Sequence, residues 1–253
     1  MWQFTEDQLL GWFTSWFWPF CRIGALFTVA PIFQDRGIPR QVKIALAIAI
    51  AALISLQIPP ANIELFTFDG LLMLLKQLLI GGSIGLVMRI PFAATEMCGN
   101  LIGLQMGIGF ATFFNPQERT QTPILGTFLT YIGLLLFLAI DGHLIMIASV
   151  TESFRVFPLN TNYHLTIDWY SLVEQGALIF SIGFHLAMPI LATLLLTNVM
   201  LGVLTRAAPQ LNVFSIGFPV TLFLGFFALL LALPFMQSLL ENYLYEIVGR
   251  LGH

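Results

Sequence analysis

The hydrophobic positions of this chain fall into long apolar stretches separated by short polar turns. Two of these stretches, Leu9–Phe33 and Leu71–Ile90, carry Arg22 and Lys76 in their interiors. Five others contain no charged residue: Ile44–Ile63, Met97–Gln117, Thr120–Ile140, Gln175–Thr205 and Ala207–Leu240. Each stretch can supply the roughly 20 apolar residues that a membrane-spanning helix needs. The pattern predicts an all-α, polytopic membrane protein.

The stretch Met97–Gln117 has a glycine pattern that is unusual for a membrane helix. Gly99, Gly103 and Gly107 recur every four residues, and such a stripe lets a neighbouring backbone approach closely. Gly109 and Pro116 then predict that the helix breaks. A broken or re-entrant segment must have its freed backbone groups covered by protein or water. With this segment counted as re-entrant, the chain has six principal spans.

Bulky apolar residues lie beside the predicted break. They are Met106, Phe110, Phe113 and Phe114. Such a cluster can be ordinary core packing, or it can form a hydrophobic constriction that closes a pore by excluding water. The residues alone leave both interpretations open.

The C-terminal part of the chain predicts a helical hairpin. Its two apolar arms meet at TRAAPQLN, which contains Arg206, Pro209, Gln210 and Asn212. Proline and asparagine supply the turn chemistry. Pro189, Pro219 and Pro234 lie inside the arms and predict kinks.

Four charged residues lie in or beside apolar stretches: Arg22, Lys76, Arg89 and Glu96. Because an uncompensated charge in lipid is costly, each should face protein, water or an interface. Arg22 is the farthest of the four from any polar loop, so we expect it to have a protein partner. For Glu96, an ion pair or an interfacial position is favoured over a proton-carrying role.

Composition supports the membrane assignment and limits the partners. Only 9% of the residues are charged, against about 25% in soluble domains. The net charge of -3 gives no basic patch, which argues against nucleic acid. Three of the ten basic residues lie in residues 34–43, so the positive-inside rule predicts a cytoplasmic position for this loop.

The sequence contains no motif that predicts enzyme activity. The run GGSIG at residues 81–85 matches a nucleophile elbow, but that motif needs a strand before its serine. A small-residue packing face is the favoured interpretation, and a hydrolase using Ser83 is a weak alternative. Asp141 and His143 are two positions apart and would not face each other on a helix. We expect no metal and no cofactor.

The residues around the predicted break carry a resemblance to a known family. GLQMGIGFATFFNP, preceded by TEMCGNLI, resembles the FliR family of flagellar export-gate proteins. The likeness continues in order along most of the chain, through RIGALFTVAPIF at 22–33, GIPRQVKIAL at 37–46, LFLAIDGH at 136–143 and RAAPQLNVFSIGFP at 206–219.

The resemblance implies a subunit of the type III secretion export gate in the bacterial inner membrane, at the flagellar basal body. A single copy would assemble with several copies of FliP and FliQ, next to FlhB and FlhA, in contact with membrane lipid. Unfolded flagellar proteins would be the exported substrates. Residues 1–160 would form a FliP-like region that includes the plug loop, and residues 161–253 a FliQ-like kinked hairpin.

The resemblance also implies that the loop after the glycine-rich helix is a plug that keeps the channel shut to small solutes. Position by position, this plug falls on Gly107, Phe110, Phe113, Phe114, Asn115 and Pro116. Met106 and Gly109 belong to the same candidate gate. The glycine face would then meet other subunits.

Two other functions stay open at this point. The virulence injectisome has a homologous subunit, and sequence separates the two systems only by degree of likeness. A secondary transporter could use a broken glycine-rich helix as a substrate site, but it would need a matching broken segment in its other half. The proline-kinked C-terminal hairpin contains no second glycine run of this kind.

Overall fold

The computed structural model describes residues 6–34, 37–58, 66–108, 123–159, 169–208 and 213–251. All regular elements in these ranges are helices, which confirms the all-α prediction. They are α1 (Glu6–Val29), α2 (Pro31–Gln34), α3 (Arg40–Ser55), α4 (Phe68–Gln105), α5 (Ile124–Ala139), α6 (Gly142–Val156), α7 (Trp169–Ala207) and α8 (Val213–Leu251).

The helices divide into two compact units that interleave along the chain. Unit 1 contains residues 1–89, 141–173 and 245–253, and unit 2 contains residues 90–140 and 174–244. Helix α4 therefore contributes its N-terminal part to unit 1 and its C-terminal part to unit 2. The division into a FliP-like and a FliQ-like region concerns likeness to other subunits, and it stays a prediction.

Three of the described helices are long and apolar enough to cross a membrane. The spans are Phe68–Gln105, Val173–Ala207 and Ile216–Tyr243, and the bent pair α5 and α6 makes a fourth if the two helices count as one span. Two of the six spans expected from hydropathy, Leu9–Phe33 and Ile44–Ile63, have no counterpart among these helices. Helix α3 has only 16 residues, and α1, with 24 residues, is not among the described helices that are apolar enough. The start of the glycine-rich stretch continues from Leu71–Ile90 in one 38-residue helix.

Unit 1 has its core where α1, α3, α4 and α6 meet. On α1 the buried residues Ile23, Leu26 and Phe27 follow the helical repeat, so one stripe faces the core. Helix α3 contributes two small residues, Ala47 and Ala51, to the same cluster. Ile54 is buried there as well, whereas Ile44, Leu46, Ile48 and Leu53 are exposed. A helix that is apolar on all sides is expected in a protein embedded in lipid.

Unit 2 has its core around the C-terminal part of α4. Buried residues recur there every four positions: Ile90, Ala94, Cys98, Ile102 and Met106. This stripe packs against buried side chains of α5, α7 and α8, so both predicted hairpin arms are present and share one core. Each arm is a 39-residue helix, and Pro189, Pro219 and Pro234 lie inside the arms as expected.

Candidate functional site

The C-terminal end of α4 has a well-defined cap. Gly107 has φ 80, which is in the left-handed region. The amide of Ile108 donates to the Gly103 carbonyl at 3.0 Å, and the amide of Gly107 donates to the Leu104 carbonyl at 3.1 Å. These two bonds are the Schellman motif, which closes a helix with glycine at the residue after the cap. The helix thus ends within the glycine-rich stretch, as predicted, and Gly107 is the residue that ends it.

Met106 lies directly before this cap and is a core residue of unit 2. Its side chain is 1% exposed. A Cβ added at Gly225 of α8 would lie 2.7 Å from the Met106 Cγ and Cε atoms, so the methionine fills the space that this glycine leaves. Nearby, the Thr221 hydroxyl of α8 lies 3.5 Å from the Met106 carbonyl oxygen. Helix α8 therefore holds the capped end of α4 in place.

Helix α5 approaches α4 more closely, backbone against backbone. A Cβ added at Gly99 would lie 2.5 Å from the Gly126 Cα atom. A Cβ added at Gly126 would clash with the Asn100 Oδ1 atom and lie 2.9 Å from the Glu96 carbonyl oxygen. The glycine stripe thus permits the close approach that the sequence predicts. The neighbour at Gly99 is this chain's own α5, whereas we had expected another subunit.

A third contact comes from α7. A Cβ added at Gly183 would lie 2.8 Å from the Ala94 carbonyl oxygen and 3.3 Å from the Met97 Cβ atom. Each of the three helices around the C-terminal part of α4 therefore contributes one glycine to a close contact with it. At Gly103 the contact is ordinary, since an added Cβ would lie 3.6 Å from the Leu125 Cβ atom.

Most of the candidate plug lies outside the described residues. Residues 109–122 fall there, and they include Gly109, Phe110, Phe113, Phe114, Asn115 and Pro116. The structure describes the helix end that leads into this segment, and the plug itself stays a prediction. In the predicted hairpin turn, Pro209, Gln210 and Asn212 also lie outside the described ranges, whereas Arg206 is exposed in the last turn of α7.

Arg22 is fully buried in unit 1 and has several protein partners, as expected. Its Nε atom donates to the Gln77 Oε1 atom at 2.7 Å, and Nη1 donates to the Ser153 Oγ atom at 2.9 Å. Nη2 donates to the Phe157 carbonyl oxygen at 3.0 Å. The guanidinium carbon lies 3.7 Å from the centroid of the Phe154 ring, in cation–π range. None of these four contacts is with a carboxylate.

The other three charged residues differ in their exposure to solvent or lipid. Lys76 is buried in unit 1, whereas Arg89 and Glu96 are exposed on α4. On α6 the side chain of Arg155 forms an ion pair with Glu152 at 2.7 Å. Glu96 thus lies where it can face lipid headgroups, water or a neighbouring molecule.

Candidate catalytic residues form no constellation in the described part of the chain. No group of three or more metal-ligating side chains occurs there. Ser83 lies inside α4 and donates to the Ile80 carbonyl oxygen at 2.8 Å. Gly81 and Gly85 on either side of it contact the α1 backbone at Arg22 and Leu26. The GGSIG run is therefore a packing face, as predicted.

The sequence alone did not predict which residues contact α4 closely or which residues accept hydrogen bonds from Arg22. Gly126, Gly183 and Gly225 are the partners of α4, and Gln77 and Ser153 are the partners of Arg22. A weak signal existed for Gln77, because an amide in an apolar stretch beside Lys76 needs a hydrogen-bonding partner.

Comparison with known proteins identifies the family. The model of the family described as bacterial export proteins, family 1, matches residues 13–247. The chain is similar to flagellar biosynthetic protein FliR of Pectobacterium carotovorum subsp. carotovorum, at 40% identity over 249 residues, 98% of this chain and 95% of that protein. The corresponding protein of Escherichia coli strain K12 is 38% identical over 252 residues, 100% of this chain and 97% of that protein.

A more distant relative extends this likeness. Flagellar biosynthetic protein FliR of Aquifex aeolicus strain VF5 is 32% identical over 252 residues, covering 96% of this chain and 92% of that protein. Each match thus covers almost the full length of this chain and of the relative. The apolar helices agree with a protein embedded in a membrane. The chain belongs to the FliR family of bacterial export proteins, membrane components of the flagellar export apparatus.

Proposed function

We propose that this chain is a single-copy channel subunit of the flagellar type III secretion export gate, and that residues 110–116 help to keep its channel closed. The observation that carries the proposal is the capped end of α4. Three helices hold α4 through glycine contacts, and Gly107 ends it immediately before the segment that contains Phe110, Phe113 and Phe114. A fixed helix end gives the following loop a defined origin, and three phenylalanines give it the bulk to exclude water.

The proposed assembly is with FliP and FliQ, next to FlhB and FlhA, in the bacterial inner membrane. Support comes from the outward surfaces of α7 and α8, which carry large exposed apolar side chains. Among them are Phe180, Phe184, Met188, Phe223, Phe226, Phe227, Leu230 and Leu231. Contiguous apolar surface on this scale marks contact with membrane or protein. Unfolded flagellar proteins are the proposed substrates, and the subunit serves them as part of a passage and not as an enzyme.

Deleting residues 110–116 tests the plug. We expect membranes that contain the variant complex to conduct small ions, while the complex still assembles because the glycine contacts of α4 are untouched. The measurement is dissipation of an imposed ion gradient in vesicles. Unchanged conductance would show that these residues do not close the channel.

A matched pair of substitutions separates loss of the plug from loss of aromatic bulk in general. The variant Phe110→Ala/Phe113→Ala should leak, whereas Phe66→Ala/Phe68→Ala removes two exposed phenylalanines elsewhere and should not. Mild detergent extraction tests the assembly itself. Co-elution with FliP and FliQ supports the gate, and elution of this chain alone would exclude it.

A further inference from the structure

A cleft in unit 1 has a lining that changes from basic to apolar along one helix. It encloses about 440 Å³, within the roughly 300–1,000 Å³ of small-molecule sites. On α3 it is lined by Arg40, Lys43, Ile44 and Ala47, which share one helix face. The first two belong to the first turn of α3, and the next two follow further along the helix. The opposite wall is apolar and aromatic, with Phe20, Phe27 and Phe33 from α1 and α2.

The basic part of the cleft is formed by the first turn of α3, a helix that carries no acidic residue of its own. Helix α3 has no acidic residue in its first turn, and its N-cap is Pro39, whose side chain makes no cap hydrogen bond. The positive charge of Arg40, at the first residue of α3, adds to the positive end of the helix dipole, and Lys43 lines the cleft one turn further on. An anionic group is the complement of this surface.

A second cleft adjoins the first along α1, and the two clefts share part of their lining. It encloses about 430 Å³ and is lined by Leu78 and Gly82 of α4. Both clefts include Phe20, Gly24 and Thr28. A Cβ added at Gly24 would meet nothing within 4 Å, so the shared lining is open there. Two neighbouring apolar clefts beside one basic turn match a molecule with two apolar chains and one anionic headgroup.

We propose that these clefts bind an anionic phospholipid, with its phosphate at Arg40 and Lys43 and an acyl chain along the apolar wall of the α3 cleft. The positive-inside rule predicts that residues 34–43 lie at the cytoplasmic surface, where anionic lipids attract basic residues. A helix of a partner protein fits less well, because a single turn of a helix about 10 Å across already occupies about 420 Å³, nearly the whole volume of the α3 cleft. This inference goes beyond the proposed channel function and does not depend on the plug.

The test uses the full chain in its detergent-extracted export complex. The probe is phosphatidylglycerol with a photoreactive group in its acyl chain, compared with phosphatidylcholine carrying the same chain. Peptide mapping after illumination measures labelling of residues 20–47. We expect labelling by the anionic probe to exceed labelling by the zwitterionic one, by roughly fivefold for each basic residue involved.

Two variants separate the headgroup contact from the apolar contact. Arg40→Gln/Lys43→Gln should lower labelling by phosphatidylglycerol to the level of phosphatidylcholine, and Gly24→Leu should lower labelling by both. Their matched controls are Arg206→Gln, which removes an exposed arginine at the end of α7, and Gly202→Leu, where an added Cβ also meets nothing within 4 Å. Both controls should leave labelling unchanged. Co-purification with the complex checks that each variant is folded, and if Gly24→Leu fails to assemble, the charge variant decides.

Competition distinguishes the lipid from other ligands. Excess unlabelled phosphatidylglycerol should abolish the labelling, and inorganic phosphate should not. Displacement by inorganic phosphate, equal labelling by the two lipids, or an unaffected charge variant would each overturn the proposal. A photoreactive phenylalanine analogue in place of Phe20, which lines both clefts, keeps an aromatic side chain there. Its crosslinking to a protein instead of lipid would show that the clefts hold a partner segment, which would overturn the proposal as well.

Discussion

The helices around Arg22 and the helices around the C-terminal part of α4 are held together by different contacts. In unit 1 a buried guanidinium joins α1 to α4 and α6 through hydrogen bonds of 2.7 Å and 2.9 Å. In unit 2 the contacts of α4 with α5, α7 and α8 are short approaches at Gly126, Gly183 and Gly225. Glycine contacts occur in unit 1 too, at Gly81 and Gly85, but the buried cations of the described residues, Arg22 and Lys76, both lie in unit 1.

This difference shows which contacts favour the native arrangement of helices in each unit. In lipid the hydrophobic effect does not distinguish a correct helix neighbour from a wrong one, so close packing and hydrogen bonds must do so. A buried cation requires particular acceptors at particular positions, and a wrong arrangement leaves it unpaired. Glycine contacts require only that two backbones fit, and they place no charged group between the helices.

The largest effect is expected at Gln77, in the region that depends on hydrogen bonds. Gln77→Leu removes the acceptor of the Arg22 Nε atom and leaves a buried charged group partly unsatisfied. We expect a loss of about 3 kcal/mol of stability, since unsatisfied charged groups are more costly than neutral ones. Thermal unfolding of the detergent-purified protein measures this change.

The double variant Arg22→Met/Gln77→Leu provides the control for that prediction. Replacing both members by apolar groups of similar size is often close to neutral, so most of the lost stability should return. If the double variant is as unstable as Gln77→Leu alone, then the loss comes from packing at position 77, and Arg22 is not the cause.

The next effect is expected at Gly126, in the region that depends on close approach. Gly126→Ala forces a methyl group against Asn100 and the Glu96 carbonyl, and overpacking of this kind costs about 2 kcal/mol. The matched variant Gly202→Ala places the same methyl group in open space on α7. It should stabilise the helix by up to about 1 kcal/mol, because alanine is the better helix former. Changes of opposite sign in the free energy of unfolding of the two variants would support the close contact, and changes of the same sign would contradict it.

These two regions also show which structural features can be predicted from the sequence and which cannot. The break in the glycine-rich stretch, the close approach at Gly99 and the need of Arg22 for a partner follow from local sequence. The partners do not, because Arg22 is separated from Gln77 by 55 residues and from Ser153 by 131. The sequence does not identify Gly107 as the residue that ends α4, because Gly109 and Pro116 are equally plausible helix breakers, whereas the Schellman hydrogen bonds depend on backbone geometry.

The smallest effects are expected from two serines that differ mainly in their contact with Arg22. Both donate to the carbonyl three residues earlier, Ser153 to Val150 at 2.6 Å and Ser83 to Ile80 at 2.8 Å. Ser153 also accepts a hydrogen bond from Arg22, so Ser153→Ala should cost about 1.5 kcal/mol, as expected for a hydrogen bond to a charged group. Ser83→Ala should change neither stability nor flagellar export, because its hydroxyl serves only its own helix. Loss of export with normal assembly in Ser83→Ala would revive the hydrolase alternative. Equal stability of the two variants would show that the Ser153 contact adds nothing to the burial of Arg22, and would leave Gln77 and the Phe157 carbonyl as the groups that hold the cation.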